Sequence, residues 1–254
     1  MDTCPQFLPY IRQAVSKARK IIAISKGVAE EAIRRFPEAA DKIETMIGGY
    51  DSWKFYPVDV TRESVLSEYG IREDPEFLLV SVGKLDQIKG VDYLLSAAAQ
   101  YEKIYGNRIM TLIAGDGALS DELKAQAARL DLKSVRFLGH VPNNRLKRLY
   151  SVSDLCVIPA RKDPLGAVAV EAMACGVPVV ASNQGALTDV ITPEVGTLIE
   201  TGSVSDLVEG IRHELEYPNR EMRRAAAARY AKERFSEDRI LERMMGVYQT
   251  AENR

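Results

Sequence analysis

The stretch FLLVSVG at residues 77–83 decides the fold class, because its apolar residues run without the alternation of a half-exposed strand. A continuously apolar strand is typical of a parallel sheet that helices cover on both faces. The stretch PVVAS at residues 178–182 has the same character. Both runs therefore predict strands in the interior of an α/β fold.

Short apolar runs of this kind alternate with longer amphipathic segments along most of the chain. Predicted strands cover residues 21–25, 45–48, 77–83, 110–115, 135–139, 155–159, 178–182 and 196–199. Predicted helices cover residues 90–105, 119–130, 143–152, 166–175 and 203–217. This order of elements predicts a Rossmann-like parallel sheet covered by helices.

Two changes of pattern divide the chain into three predicted parts. At residues 48–57 (GGYDSWKFYP), glycines, a proline and the only tryptophan interrupt the regular alternation, which predicts a linker. The tail beyond residue 217 is rich in Ala, Arg and Glu and contains no predicted strand. We expect residues 1–57 to be the remnant of a preceding domain plus a linker. Residues 58–217 would form the Rossmann-like domain, and residues 218–254 would be helices that pack back toward the N-terminal part.

Composition excludes several classes of function. The 34 Lys and Arg residues are balanced by 36 Asp and Glu, so no basic surplus points to nucleic acid. Two histidines and three cysteines without a CxxC pair argue against a metal framework. Widely spaced cysteines (Cys4, Cys156 and Cys175) fit a reducing compartment. With no signal peptide and no run of membrane-span length, we expect a cytoplasmic protein whose membrane contact is peripheral at most.

Candidate binding residues follow the strands, because open α/β sheets bind ligands beyond the carboxyl ends of their strands. After residues 77–83, Gly83 permits close backbone approach, and Lys84 and Lys89 can flank a diphosphate. Solvated surface lysines are the alternative interpretation. After the next strand, Gly115 and Gly117 form a Gly-x-Gly turn, which also fits any tight strand-to-helix connection.

Two later turns carry further candidates. Backbone groups of Gly139 and Val141 can face a base, whereas the intervening His140 side chain is more often incidental. Residues 163–182 read DPLGAVAVEAMACGVPVVAS, with a glycine near the predicted start of a helix. That glycine, Gly166, leaves amides open to an anion near the positive end of the helix dipole.

Two carboxylates in the same segment each have a functional and a structural interpretation. Glu171 lies inside an apolar helix, where a carboxylate needs donors, and ribose hydroxyls are suitable ones. An exposed helix edge is its alternative. Asp163 precedes a proline at a helix start, so it is either a binding residue or an ordinary N-cap.

Taken in order, these motifs resemble glycosyltransferase family 4 over residues 18–240. They are GxL…KG at residues 83–90, GxG at 115–117, FxGxV at 137–141, and Asp-x7-Glu at 163–171 running into EAMACGVPVVAS. The resemblance implies a GT-B fold, of which this chain holds the C-terminal donor-binding domain and only the end of the N-terminal acceptor domain. It implies a retaining, metal-independent transfer from a nucleoside-diphosphate sugar, in UDP or GDP form, without a cofactor.

The resemblance also implies roles for individual residues. Lys84, where the family usually has Arg, and Lys89 would neutralise the donor diphosphate. Asp163, in place of Glu, would contact the transferred sugar, and Glu171 would hold the ribose hydroxyls. The amides of Gly166 and Ala167 would bind phosphate, and Gly139 and Val141 would frame the base.

Several positions depart from the family pattern and favour an unusual donor or relaxed catalysis. A lysine at position 84 replaces the guanidinium of arginine, which can donate two parallel hydrogen bonds, with a single ammonium charge. Asp163 is one methylene shorter than Glu. Residues 185–189 carry Gly-Ala and Asp where the family has Gly-Gly and Glu, and residues 48–51 read GGYD in place of Asn-Gly-Val-Asp.

Three functions remain open. The first is the donor-binding domain of a glycosyltransferase, which would be inactive or weak without its acceptor domain. A separate chain is one possible source of that acceptor domain. The second is a non-catalytic nucleotide-sugar-binding or scaffolding module, and the third is a GT-B sugar-nucleotide epimerase. A dehydrogenase is disfavoured because no GxGxxG follows the first strand. The basic helix around Arg12 and Lys17 is either a membrane contact or a solvated face.

Overall fold

The computed structural model describes residues 5–252, so Cys4 lies outside the described residues. The N-terminal part contains helix α1 (Leu8–Lys17), strand β1 (Ile21–Ala23), helix α2 (Lys26–Arg35) and strand β2 (Ile43–Thr45). The two short strands pair in parallel as a separate two-stranded sheet. Strand β1 ends before the predicted residue 25, because the Ser25 hydroxyl accepts a hydrogen bond from Val28 N and caps α2.

A six-stranded parallel sheet forms the centre of the molecule. Its strands are β3 (Phe77–Val82), β4 (Ile109–Ala114), β5 (Val135–Gly139), β6 (Leu155–Ile158), β7 (Val179–Ser182) and β8 (Gly196–Ile199). They lie in the order β5-β4-β3-β6-β7-β8, which is the Rossmann order 3-2-1-4-5-6 when counted from β3. The predicted fold class is therefore confirmed.

Helices cover both faces of this sheet. The intervening helices are α3 (Arg62–Ser67), α4 (Val91–Tyr105), α5 (Ser120–Arg129), α6 (Asn143–Val152), α7 (Ala167–Ala174), α8 (Leu187–Val190) and α9 (Val204–Leu215). In β3, Leu78 and Val80 pack into the core that α6 and α7 cover, whereas Leu79 packs into the core under α4 and α9. This two-sided burial explains why the strand is apolar throughout instead of alternating.

The last two helices, α10 (Arg220–Phe235) and α11 (Glu237–Glu252), lie against α7 and the N-terminal part respectively. The Arg243 side chain donates to the Thr45 carbonyl at 3.0 Å, and Tyr50 N donates to the Phe235 carbonyl at 2.9 Å. The predicted linker at residues 48–57 contains a turn in which the Asp51 side chain accepts two backbone hydrogen bonds. Within residues 5–252, no helix has both the length and the apolar character that crossing a membrane requires.

Candidate functional site

An ion pair occupies the point where the sheet reverses its winding. Lys89 follows β3 and Asp163 follows β6, and the helices after these two strands cover opposite faces of the sheet. Lys89 Nζ lies 3.1 Å from Asp163 Oδ2, and the two side chains are 24% and 5% exposed. The sheet therefore brings two of the predicted site residues together at the place where open α/β folds bind ligands.

Close backbone packing sets the position of Lys89. Its aliphatic stem lies over Gly83, where an added Cβ would lie 3.7 Å from the Lys89 Cγ and Cδ. The next residue, Gly90, has a φ of +65°, and a Cβ there would lie 2.0 Å from the Pro159 carbonyl oxygen. Only glycine fits this left-handed, crowded position. The start of α4 therefore approaches the end of β6, and Lys89 comes next to the Asp163 loop.

Arg161, at the end of β6, fixes the same loop, although no motif in the sequence singles it out. Its guanidinium makes two hydrogen bonds with Asp92, at 2.8 and 2.6 Å, and lies 4.0 Å from the centre of the Tyr93 ring. The Asp92 carboxylate raises the Arg161 pKa by favouring the cation. The Arg161 amide also donates to the Ile88 carbonyl at 2.8 Å. Arg161 therefore holds the segment that carries Lys89 against the end of β6.

Asp163 uses both carboxylate oxygens within the protein. While Oδ2 pairs with Lys89, Oδ1 accepts hydrogen bonds from Leu165 N at 3.2 Å and Gly166 N at 2.8 Å. Asp163 therefore stabilises the loop before α7 but does not cap the helix, whose N-cap residue is Gly166. The Gly166 amide that was expected to bind phosphate is engaged. Ala167 begins α7, whose start has no side-chain cap. A phosphate would therefore meet the first turn of α7, and the Gly166 amide only after Asp163 shifts.

Glu171 lies in the second turn of α7 and is half-buried, not exposed at a helix edge. Burial raises its pKa to about 7, and the nearby Tyr150 hydroxyl opposes that rise. Near neutral pH the side chain therefore exists in both the neutral and the charged form. The charged carboxylate only accepts hydrogen bonds, so it suits hydroxyl groups that donate them.

The predicted glycines bring the carboxyl ends of β3, β4 and β5 together. An added Cβ at Gly115 would lie 1.8 Å from the Gly83 carbonyl oxygen, and one at Gly117 would lie 2.3 Å from the Leu85 carbonyl oxygen. Gly139 accepts a backbone hydrogen bond from Gly115 at 2.8 Å and has a φ of +67°. These glycines allow close strand packing, which is the structural interpretation of the Gly-x-Gly turn.

The remaining candidates differ in exposure. Val141 is buried in the core, whereas His140 is exposed. Lys84 is also exposed, and its ammonium has no ion-pair partner in the part of the chain that the structure describes. The same described residues contain no group of three side chains arranged to hold a metal ion.

A second contact near the site joins the N-terminal part to the large sheet. Asp189, on α8, is buried and accepts a hydrogen bond from Lys26 N, at the start of α2, at 2.7 Å. The exposed Lys26 ammonium lies 3.5 Å from the other carboxylate oxygen. Just before α8, Ala186 N donates to the Asp163 carbonyl at 3.0 Å. Asp189, noted in the sequence only as a departure from Glu, thus anchors α2 beside the Asp163 loop.

Cavity size alone does not identify this site. A depression of about 670 Å³ lies between β8 and α9, on the outer edge of the sheet, whereas the cavity around Gly83, Lys89 and Asp163 measures about 10 Å³. Lys89 and Asp163 both line this small cavity. The sheet topology and the converging charges mark the switch point as the candidate site, because these are what a phosphate recognises.

Comparison with known proteins identifies the family of the chain. The family described as glycosyl transferases group 1 matches residues 62–234. The uncharacterized glycosyltransferase MJ1607 of Methanocaldococcus jannaschii is 31% identical over 238 residues, which cover 91% of this chain and 60% of that protein. The chain spans between 50% and 60% of the length of the curated relatives it matches first.

Solved structures share the fold over nearly the whole chain. Sucrose-phosphate synthase from Thermosynechococcus elongatus superposes with a TM-score of 0.80 at 26% identity, over 98% of this chain and 62% of that one. Anabaena Alr3699/HepE, in a complex with UDP, superposes with a TM-score of 0.82 at 24% identity, over 98% of this chain and 69% of that one. The fold is therefore of the GT-B type, and the chain belongs to the glycosyl transferases group 1 family.

Proposed function

We propose that this chain binds the nucleoside-diphosphate-sugar donor of a family 4 glycosyltransferase and forms its C-terminal domain. The observation that supports this most is the Lys89–Asp163 pair at the switch point of the sheet. In this assignment residues 58–217 form the donor domain and residues 1–57 the end of the acceptor domain with its linker. Residues 218–254 form helices that return toward that end.

The chemistry of sugar transfer suits these residues. As the glycosidic bond breaks, the leaving diphosphate gains negative charge, and groups that meet this charge stabilise the transition state more than the ground state. Lys89, the exposed Lys84 and the free amides at the start of α7 are such groups. The Lys89 ammonium would leave Asp163 for the diphosphate, or would contact both at once. The Asp163 carboxylate would then face the sugar. As in the family, transfer would be retaining and independent of a metal ion.

Uridine is the base that we propose first. The Anabaena protein of the same fold was solved with UDP, and the family resemblance leaves GDP as the second choice. Glu171 would accept hydrogen bonds from the ribose hydroxyls, and the backbone of Gly139 and Val141 would frame the base. The half-buried position of Glu171 supports this role, because a buried carboxylate needs donors.

Acceptor binding would need residues beyond this chain. The curated relatives are considerably longer than the chain, and in the GT-B fold the acceptor lies mainly on the N-terminal domain. We propose that this domain, either continuous with the chain or supplied by a separate chain, completes the active site. The isolated chain would bind donor and transfer little sugar. A cytoplasmic location is also proposed, because Cys156 and Cys175 are buried free thiols.

A non-catalytic nucleotide-sugar-binding module is the second candidate. It is favoured by one observation, namely that Asp163 makes hydrogen bonds or ion pairs through both oxygens and so has little capacity left for a sugar. The two candidates agree on donor binding and differ on transfer.

Calorimetric titration with UDP, GDP and ADP, repeated on Glu171→Ala, tests the proposal. Saturable binding of one nucleotide that is lost in the variant supports donor binding and identifies the base. No binding of any nucleotide would contradict it. Sugar transfer measured after the chain is combined with an acceptor domain would then separate the enzyme from the non-catalytic module.

A further inference from the structure

The Tyr150 hydroxyl is buried and makes no hydrogen bond of normal geometry among residues 5–252, although the Glu171 carboxylate lies near it. The side chain belongs to α6 and is 0% exposed. Leaving such a group unpaired costs about 1–3 kcal/mol, and native proteins rarely do so. An unpaired hydroxyl at this depth therefore calls for a specific reason.

Tyr101 shows how a tyrosine with a purely structural role is treated in the same protein. It is equally buried, on the opposite face of the sheet, and its hydroxyl lies 2.6 Å from Thr111 Oγ1. The Tyr101 hydroxyl is therefore satisfied within the core, whereas those of Tyr150 and Tyr230 are not. Tyr150 differs in what surrounds it.

The groups that face Tyr150 include one that carries charge near neutral pH. Glu171 approaches it from α7, Cys156 from β6 and Cys175 from the end of α7. Burial raises the pKa of both thiols, so they are neutral. Glu171 in turn faces Tyr150 and the two cysteines, and the cations Lys147 and Arg224 act on Cys175.

We propose that Tyr150 is a positioning residue for donor binding, whose buried hydroxyl donates a hydrogen bond to Glu171 and thereby stabilises the ionised carboxylate that accepts hydrogen bonds from the ribose hydroxyls. The proposal rests on the role proposed above for Glu171. Tyr150 itself lies too deep to touch the nucleotide, and its ring packs 6.3 Å from that of Phe55. It acts through Glu171 by favouring the form that accepts hydrogen bonds from hydroxyls.

A pH dependence follows from this arrangement. Glu171 titrates near pH 7, so donor affinity rises as pH increases through that range and the carboxylate ionises. Removing the Tyr150 hydroxyl takes away a group that favours the carboxylate, so the Glu171 pKa rises further. The rise in donor affinity then moves to higher pH.

Titration of Glu171 by carbon-13 NMR in the nucleotide-free chain tests the proposal first. The side-chain carboxyl signal is assigned by its loss in Glu171→Gln, and its pKa is compared between the wild type and Tyr150→Phe. We expect an upward shift of about one unit, the size of one charge-assisted hydrogen bond. An unchanged pKa in a folded Tyr150→Phe would overturn the proposal whether or not the chain binds nucleotides.

UDP affinity measured from pH 5.5 to 8.5 tests the functional half. In Tyr150→Phe we expect the midpoint of the affinity rise to move up, with near wild-type affinity at the highest pH. Tyr101→Phe is the matched control: it loses the bond to Thr111 and some stability, and its midpoint stays in place. Equal loss of affinity at every pH in Tyr150→Phe would indicate a structural role only and overturn the proposal. A wild type that binds no UDP would instead contradict the function proposed for the chain.

Discussion

Lys89 Nζ lies 3.1 Å from Asp163 Oδ2, across the switch point of the parallel sheet. The two residues are 74 positions apart and come from strands whose helices lie on opposite faces. Because Asp163 also accepts a hydrogen bond from Gly166 N, this pair connects the loop after β3 to the loop before α7. A diphosphate that binds here has to compete with Asp163 for Lys89, or share it.

Replacing Lys89 tests whether it contributes to diphosphate binding. We expect Lys89→Ala to weaken UDP binding tenfold to a hundredfold, because a charge-assisted hydrogen bond contributes about 1.5–3 kcal/mol and 1.4 kcal/mol is about tenfold. Lys84→Ala is the control, and its effect should be smaller because Lys84 is exposed. Calorimetry measures both. A larger loss in Lys84→Ala than in Lys89→Ala would contradict the assignment.

The raised pKa of Glu171 predicts a dependence of stability on pH. The Glu171 pKa is about 7 in the folded chain and 4.5 without burial, so the folded state holds the extra proton between these values. This contribution is complete below pH 4.5 and is lost as pH rises through 7. Relative to the wild type, Glu171→Gln should therefore gain stability between pH 5 and pH 8, by up to about 3 kcal/mol. Urea unfolding of the wild type and of Glu171→Gln at pH 5 and pH 8 measures this gain. The same difference in unfolding free energy between the two proteins at both pH values would refute the prediction.

The Asp189 carboxylate should hold α2 in place. Asp189→Ala leaves the Lys26 amide at the start of α2 without its acceptor, which should cost about 1–3 kcal/mol. Lys26→Ala keeps that backbone hydrogen bond and removes only an exposed ammonium, so it should cost less than about 0.5 kcal/mol. Chemical unfolding compares the two, and hydrogen exchange in α2 localises the effect. Similar losses in both variants would show that the ammonium is what matters.

Two glycines at strand ends should differ in their tolerance of alanine. Gly115→Ala places a Cβ 1.8 Å from the Gly83 carbonyl oxygen, so we expect a loss of about 3 kcal/mol or more from the displaced backbone. Gly139→Ala has open space around the added carbon and only the strain of a φ of +67°, about 1–2 kcal/mol. Thermal unfolding ranks the pair. Gly139→Ala as the more harmful change would contradict the close strand packing.

The fold could be predicted from the sequence because two-sided burial leaves a direct mark on it. A strand covered on both faces, such as β3, is continuously apolar, and the alternation with amphipathic helices then predicts the layers. The exact ends of helices and strands were harder to predict from the sequence. Ser25 reads as part of a strand, yet its hydroxyl caps α2, and that depends on where the helix begins.

The site was predictable only where motifs mark it. Gly83, Lys89 and Asp163 lie in turns that the strand pattern places at one edge of the sheet. Nothing local distinguishes Arg161 or Asp189, because their partners Asp92 and Lys26 lie far away in the chain. Contacts of this kind depend on tertiary packing, as does the approach of the buried Tyr150 hydroxyl to Glu171.

We expect the nucleotide diphosphate to bind at the switch point between β3 and β6. Backbone amide NMR of the nitrogen-15-labelled chain, titrated with UDP, locates the binding site. We expect saturable shift changes concentrated at residues 83–90 and 163–171. Changes confined to the depression lined by residues 197–199 and 206–218, or no changes at all, would contradict it.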